Sequence, residues 1–268
     1  MPEQNPLPRL RKRLRLRPGA RRMLTYPILA ALVLVAVPLL PKILPASTPA
    51  IAAPAVTSSS PTAIAAPAPA PTASATSTES NDADRALTAL QGISVAPAER
   101  IDYDEGIYGP KWADIAHSGC DTRNAILQRD LVDVAFKPGT HDCVVVRGTL
   151  HDAYTGQTVT FTRVSGGYQP VQIDHVVPRA TAAAHGALHL TPEQRLQFAN
   201  DPLNLQTTTA NQKKGNRGPA EYMPTAAYAC TYAIRYVEVS DKYSLSMDAA
   251  DHAVLEKVLA GCAARGGS

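Results

Sequence analysis

Between Gln172 and Glu221 the chain gathers side chains suited to phosphoryl chemistry: an Asp174-His175 pair, Asn204 in a short apolar setting, and Asn211 followed by Lys213, Lys214 and Arg217. A histidine titrates near neutrality and can take a proton from water. A hard divalent ion prefers oxygen ligands and keeps several waters, so two protein oxygens suffice, here from Asp174 and Asn211. Cations beside them meet the charge that grows on a phosphoryl centre. The combination suits metal-assisted hydrolysis of a phosphodiester. It carries one geometric condition. Adjacent residues of a regular strand face opposite ways, so the strand must end or bend at Val176-Val177-Pro178 for Asp174 and His175 to serve one site. Each residue also has a plainer reading: a packed histidine, a strand-end carboxylate, turn and N-cap asparagines, and a solvated basic face.

The elements that would position these groups read as α+β. Cys143–Leu150 and Thr158–Val164 are β-branched runs separated by HDAYTGQ, an antiparallel pair by pattern. A third short strand, Pro170–Ile173, leads into the Asp-His pair. Thr191-Pro192-Glu193-Gln194 is a helix start, with a Thr cap, Pro in the first turn and Gln placed to close a capping box. A helix opens at Asp121 or Thr122, Asn204–Thr207 is extended, and Asn211–Asn216 starts a short basic helix or turn. Two helices, Ala226–Ser240 and Ser246–Ala264, close the domain, and Asn81–Leu90 reads as an entry helix. Arg129 and Asp130 are expected to form a structural network, and the six histidines other than His175 to sit on the surface or in loops.

The rest of the chain reads as delivery. Residues 1–22 hold eight Lys/Arg against Glu3 alone, a net of +7; the remainder has 18 basic and 22 acidic residues, a net of −4. The overall charge of +3 therefore describes the tail, and a nucleic-acid partner does not follow from it. Residues 23–45 contain an apolar, uncharged run (MLTYPILAALVLVAVPLL), long enough for a signal segment or a membrane anchor, with the basic tail left in the cytoplasm. Export follows, to the cell surface or, after cleavage near the small residues that come next, to the medium. Residues 46–83, rich in Pro, Ala, Ser and Thr, read as a disordered tether, and 84–268 as the folded domain. Cys120, Cys143, Cys230 and Cys262 form no CxxC pair, which argues against structural zinc. In an exported domain they favour two disulfides. Of three connectivities, Cys120–Cys143 with Cys230–Cys262 lets each half close its own loop.

Taken in order, YGPKWAD, CDTRNAILQRDL, DAYTGQ, QIDHVVP, FANDPLNLQ and NQKKGNRGPAEYMP resemble the HNH nucleases of the ββα-metal fold. The closer resemblance is to exported proteins related to the C-terminal domain of GmrSD-type restriction endonucleases. The likeness runs from about Tyr108 to Cys262. It implies an HNH-like ββα-metal core with a small antiparallel sheet and flanking helices. It also implies His175 as general base, Asp174 and Asn211 as ligands of one divalent ion (Mg²⁺ first, Mn²⁺ or a similar ion next) and Asn204 as the residue that holds the histidine loop. Lys213, Lys214, Arg217 and Arg179 are then the expected contacts to a DNA or RNA substrate, with no organic cofactor and with the membrane a partner only if residues 23–45 are retained. Arg179, Tyr222 and Ala153 depart from the family pattern, which bears on substrate preference and removes no catalytic group. The competing readings are a tethered nucleic-acid-binding module without turnover and a disulfide-stapled structural domain on a stalk.

Overall fold

The computed structural model describes residues 73–265; the basic tail, the 23–45 segment and the first part of the expected tether lie outside them. Among the described residues no helix is long and apolar enough to cross a membrane. The first helix, α1 (Ala73–Gly92), begins inside the stretch expected as tether. The reason lies in the residues: no Pro or Gly interrupts the chain between Pro71 and Gly92, and Ala83, Ala86 and Leu90 form a buried face. Ser80 Oγ also donates to the Ala263 carbonyl at 2.7 Å, so packing extends the expected Asn81–Leu90 helix toward the N-terminus.

Next come α2 (Thr122–Asp130), capped by Asp121, and β1 (Leu131–Phe136), β2 (Val145–His151) and β3 (Thr158–Thr162), which form an antiparallel sheet in the order β1-β2-β3. The strand expected third does not join it. Instead β4 (Gln172–His175) pairs antiparallel with β5 (Leu205–Thr208), with Asp174 opposite Gln206 and His175 opposite Leu205. Between them lie α3 (Arg179–Ala184) and α4 (Pro192–Asn200), the latter carrying the full Thr191–Gln194 capping box. After β5 come the single turn α5 (Asn211–Lys214), then α6 (Ala229–Lys242) and α7 (Ala249–Ala264).

Two apolar clusters hold this arrangement. One joins α1, α4, α6 and α7 through Leu90, Phe198, Val237, Leu255 and Leu259, and takes in Val176 and Val177. The other lies among α2 and the strands, through Ile126, Leu127, Leu150 and Phe161, and takes in Ile173 and Leu205. The β4–β5 pair therefore sits on the seam between two cores. Both disulfides have the expected sequential pairing: Cys120–Cys143 ties the entry of α2 to the entry of β2, and Cys230–Cys262 ties α6 to α7. His185, expected on the surface or in a loop, follows α3 directly and is buried, with Nδ1 against Ser246 Oγ at 3.1 Å and Nε2 3.4 Å from Asp248.

Candidate active site

The β4 strand stops at His175 because the backbone beyond it is captured by Asn204. Val176 N–H donates to the Asn204 carbonyl and Val177 N–H to Asn204 Oδ1, both at 2.8 Å, while Asn204 Nδ2 returns a bond to the Val177 carbonyl at 3.3 Å. Asn204 is wholly buried. It fastens the loop and does not line the cleft beside it. Arg235 and Arg129 lock the same turn from outside, donating to the Leu203, Leu205 and Pro202 carbonyls. Asp130 pairs with Arg129 at 2.6 Å, as expected, and accepts from Thr207 N–H at 2.7 Å.

Asp174 is buried, and its carboxylate meets two groups that the sequence reading did not place there. Tyr154 OH donates to Oδ2 at 2.9 Å, and Lys214 Nζ lies 3.2 Å from Oδ1 and 3.1 Å from Oδ2. Burial pushes the Asp174 carboxyl up against the pull of Lys214, and burial pushes the Lys214 ammonium down against the pull of Asp174. Lys214 is fully buried and also donates to the His175 carbonyl at 2.7 Å. This corrects its expected role, since an enclosed ammonium held by a carboxylate cannot meet a phosphate from solvent. Lys213 and Arg217 are exposed but do not line the cleft. One turn of helix can turn only one of two adjacent lysines inward.

The DAYTG segment anchors the chain after β5. Asp152 accepts from Thr208 Oγ1 (2.9 Å), Thr209 N–H (2.8 Å) and Thr209 Oγ1 (2.7 Å), pinning the passage from β5 to α5. Burial pushes this carboxyl up, but the hydrogen bonds outweigh it and hold the group below its usual range.

His175 is partly buried, with its ring over Trp112 at 6.5 Å between centroids, and Nε2 is 2.9 Å from the Ala199 carbonyl. A carbonyl only accepts, so Nε2 carries the proton and Nδ1 is left as an acceptor. Burial pushes the imidazole down to about 3, opposed by the Ala199 bond and reinforced by Arg179 and Lys214. The ring is therefore neutral at physiological pH. His175, Asp174 and Asn211 line one cleft of about 680 Å³. Asn211 Nδ2 donates to Gln172 Oε1 at 2.7 Å, and its own Oδ1 has no hydrogen-bond partner among the described residues. Asn200, which also lines the cleft, is buried with Oδ1 unpartnered.

The cleft's cations come from elsewhere than the basic turn. Arg179 lines it as expected but is paired with Glu105 at 2.9 Å, and Lys111 reaches the same carboxylate at 2.7 Å. Arg123 lines it with no ion pair or hydrogen bond among the described residues; burial and the nearby Arg163 push its pKa down. Sequence reasoning considered Arg123 in the TRNAILQRDL block but gave it no place in the site, since it shares no clean helix face with Arg129.

In donor type the cleft fits a hard divalent ion. Asn211 Oδ1 and Asn200 Oδ1 are unpartnered amide oxygens, and Asp174 supplies a carboxylate, the cleft's other one, Glu105, being taken by Lys111 and Arg179. Among the described residues no group of three or more His, Cys, Asp or Glu side chains could hold a metal, so an ion here would rest on amide oxygens and water as well as Asp174.

Two antiparallel strands and a short helix thus gather around an oriented histidine. The chain belongs to the family described as GmrSD restriction endonucleases, C-terminal domain, whose sequence model matches residues 121–258. It is also similar to an uncharacterized secreted protein of Arthroderma benhamiae (strain ATCC MYA-4681 / CBS 112371), 34% identical over 185 residues that cover 67% of this chain and 86% of that protein. No solved structure matches.

Proposed function

We propose that the protein is an exported HNH-type endonuclease that hydrolyses phosphodiester bonds of DNA or RNA, with His175 as general base. The observation that carries this reading is His175, its tautomer set by the Ala199 carbonyl, in a cleft that also holds Arg123 and Arg179. Nδ1 takes a proton as a water oxygen bonds to phosphorus. The bond from phosphorus to the 3′ oxygen breaks, that oxygen regains a proton, and a 5′-phosphate is left. Arg123 meets negative charge on the phosphoryl oxygens. Asp174, Asn211 and Asn200 would hold a divalent ion, Mg²⁺ or Mn²⁺, which when bound supplies Lewis-acid stabilisation of that charge. Asn204 acts through the loop it fastens. Membership of a restriction-endonuclease family supports the reaction class. The secreted character of the fungal relative, with the apolar run in residues 23–45, supports export.

The test is plasmid and RNA cleavage by the oxidised full-length chain with Mg²⁺ or Mn²⁺, beside His175→Ala and an EDTA control. Cleavage should stop with EDTA and fall about 10²-fold or more in the variant. Equal cleavage by both proteins would remove His175 from the mechanism.

A further inference from the structure

We infer that the cleft takes an unpaired nucleic-acid strand, whose bases stack on Tyr103, Trp112 and Tyr168 while a backbone phosphate lies on Arg123. This rests on the nuclease reading of the same site and names its substrate class.

Four aromatic side chains line the cleft beside the histidine; Tyr108 is buried, while Tyr103, Trp112 and Tyr168 reach its surface. Tyr103 is 37% exposed and Tyr168 59%, among the most exposed large apolar side chains described. Tyr103 and Trp112 come from the segment before α2, and Tyr168 from the connection between β3 and β4. Trp112 holds a left-handed backbone, φ 57°, rare for a bulky residue; its carbonyl accepts from Thr122 N–H at 3.3 Å, which anchors it at the start of α2. Aromatic faces left open around a phosphate cleft have an obvious occupant in unstacked bases, because every base offers a π-face whatever its identity. A duplex offers none, since its bases are stacked face to face and only their edges reach the grooves.

Charge points the same way. Duplex binding without base readout rests on neutralising several phosphates. Among the described residues lining the cleft, Arg123 alone is a cation with neither ion pair nor hydrogen bond, because Lys111 and Arg179 share Glu105. The chain beyond residue 22 carries a net of −4. One free cation with three aromatics serves a strand that binds by stacking better than one that binds by charge.

The experiment measures binding and cleavage separately. Binding is read by fluorescence anisotropy, using the full-length chain carrying His175→Ala, in EDTA, at one salt concentration. The probes are a labelled dT 12-mer, an rU 12-mer and a hairpin duplex of equal length. The single strands should bind at least tenfold more tightly than the duplex, and adding Tyr168→Ala should weaken single-strand binding by about tenfold. Tyr168 is largely solvent-exposed, so its truncation does not endanger the fold; Arg123→Ala should weaken binding as well. Duplex binding equal to or tighter than single-strand binding, or single-strand binding untouched by Tyr168→Ala, would overturn the inference. The dT and rU arms separate DNA from RNA as the source of the strand. Cleavage by the unmutated chain is assayed on the same probes. Preferential single-strand binding without cleavage would sink the hydrolytic reading and leave this one standing. Cleavage of duplex and single strand at equal rates would do the reverse.

Discussion

Placing an ammonium out of water costs several kcal/mol unless a counter-charge and hydrogen bonds replace the lost hydration. Lys214 has both, in Asp174 and the His175 carbonyl. Removing it strands a buried carboxylate. Lys214→Met should therefore cost about 3–5 kcal/mol in urea unfolding, whereas Lys213→Ala should stay within about 0.5 kcal/mol. Equal effects at the two positions would mean that Lys214 is not enclosed as described. The sequence made His175, Asp174, Asn204 and Asn211 readable because their order and spacing are tight. It could not say which lysine of an adjacent pair faces inward. Arg123 was harder still: about fifty residues separate it from His175, and only the fold brings both to one cleft.

Asp152 shows the same logic applied to whole elements, since its carboxylate is what ties β5 to α5. An unfolded aspartate takes up a proton near pH 4, while the folded one, held by Thr208 and Thr209, resists to lower pH. The stabilisation is therefore complete above the unfolded value and is lost as pH falls through the folded value. Asp152→Asn should cost about 1–3 kcal/mol at pH 7, and its deficit should shrink stepwise below about pH 4. Denaturant titrations over that range check this; a deficit independent of pH would show that the charge is not what holds the two elements. The helices were legible from their caps and apolar spacing, α4 above all. β1 was not: Asp133 interrupts its apolar pattern with a left-handed residue (φ 52°), and the register against β2 shifts between Val132 and Ala135. Nor does strand pattern reveal that β4 leaves its neighbours to pair with β5, a partner some thirty residues on.

For the molecule as a whole, the basic tail and apolar segment stand out in composition, and an even number of cysteines, two in each half of the domain, made the disulfide pairing legible. The Cys230–Cys262 bond closes α6 on α7, so replacing both cysteines with alanine should remove about 2–4 kcal/mol. Calorimetry should then show a midpoint lower by roughly 5–15 °C; an unchanged midpoint would show that packing alone holds the two helices. The division into two cores could not be read in advance, because it depends on contacts far apart in the chain. It has a consequence for how the protein tolerates change. Ile173 and Leu205 are rooted in one core, Val176 and Val177 in the other, and the histidine between them has no foundation of its own. A cavity opened beside either set of anchors reaches the same imidazole, so side-chain volume around both is constrained by the chemistry of a residue that most of those positions never touch.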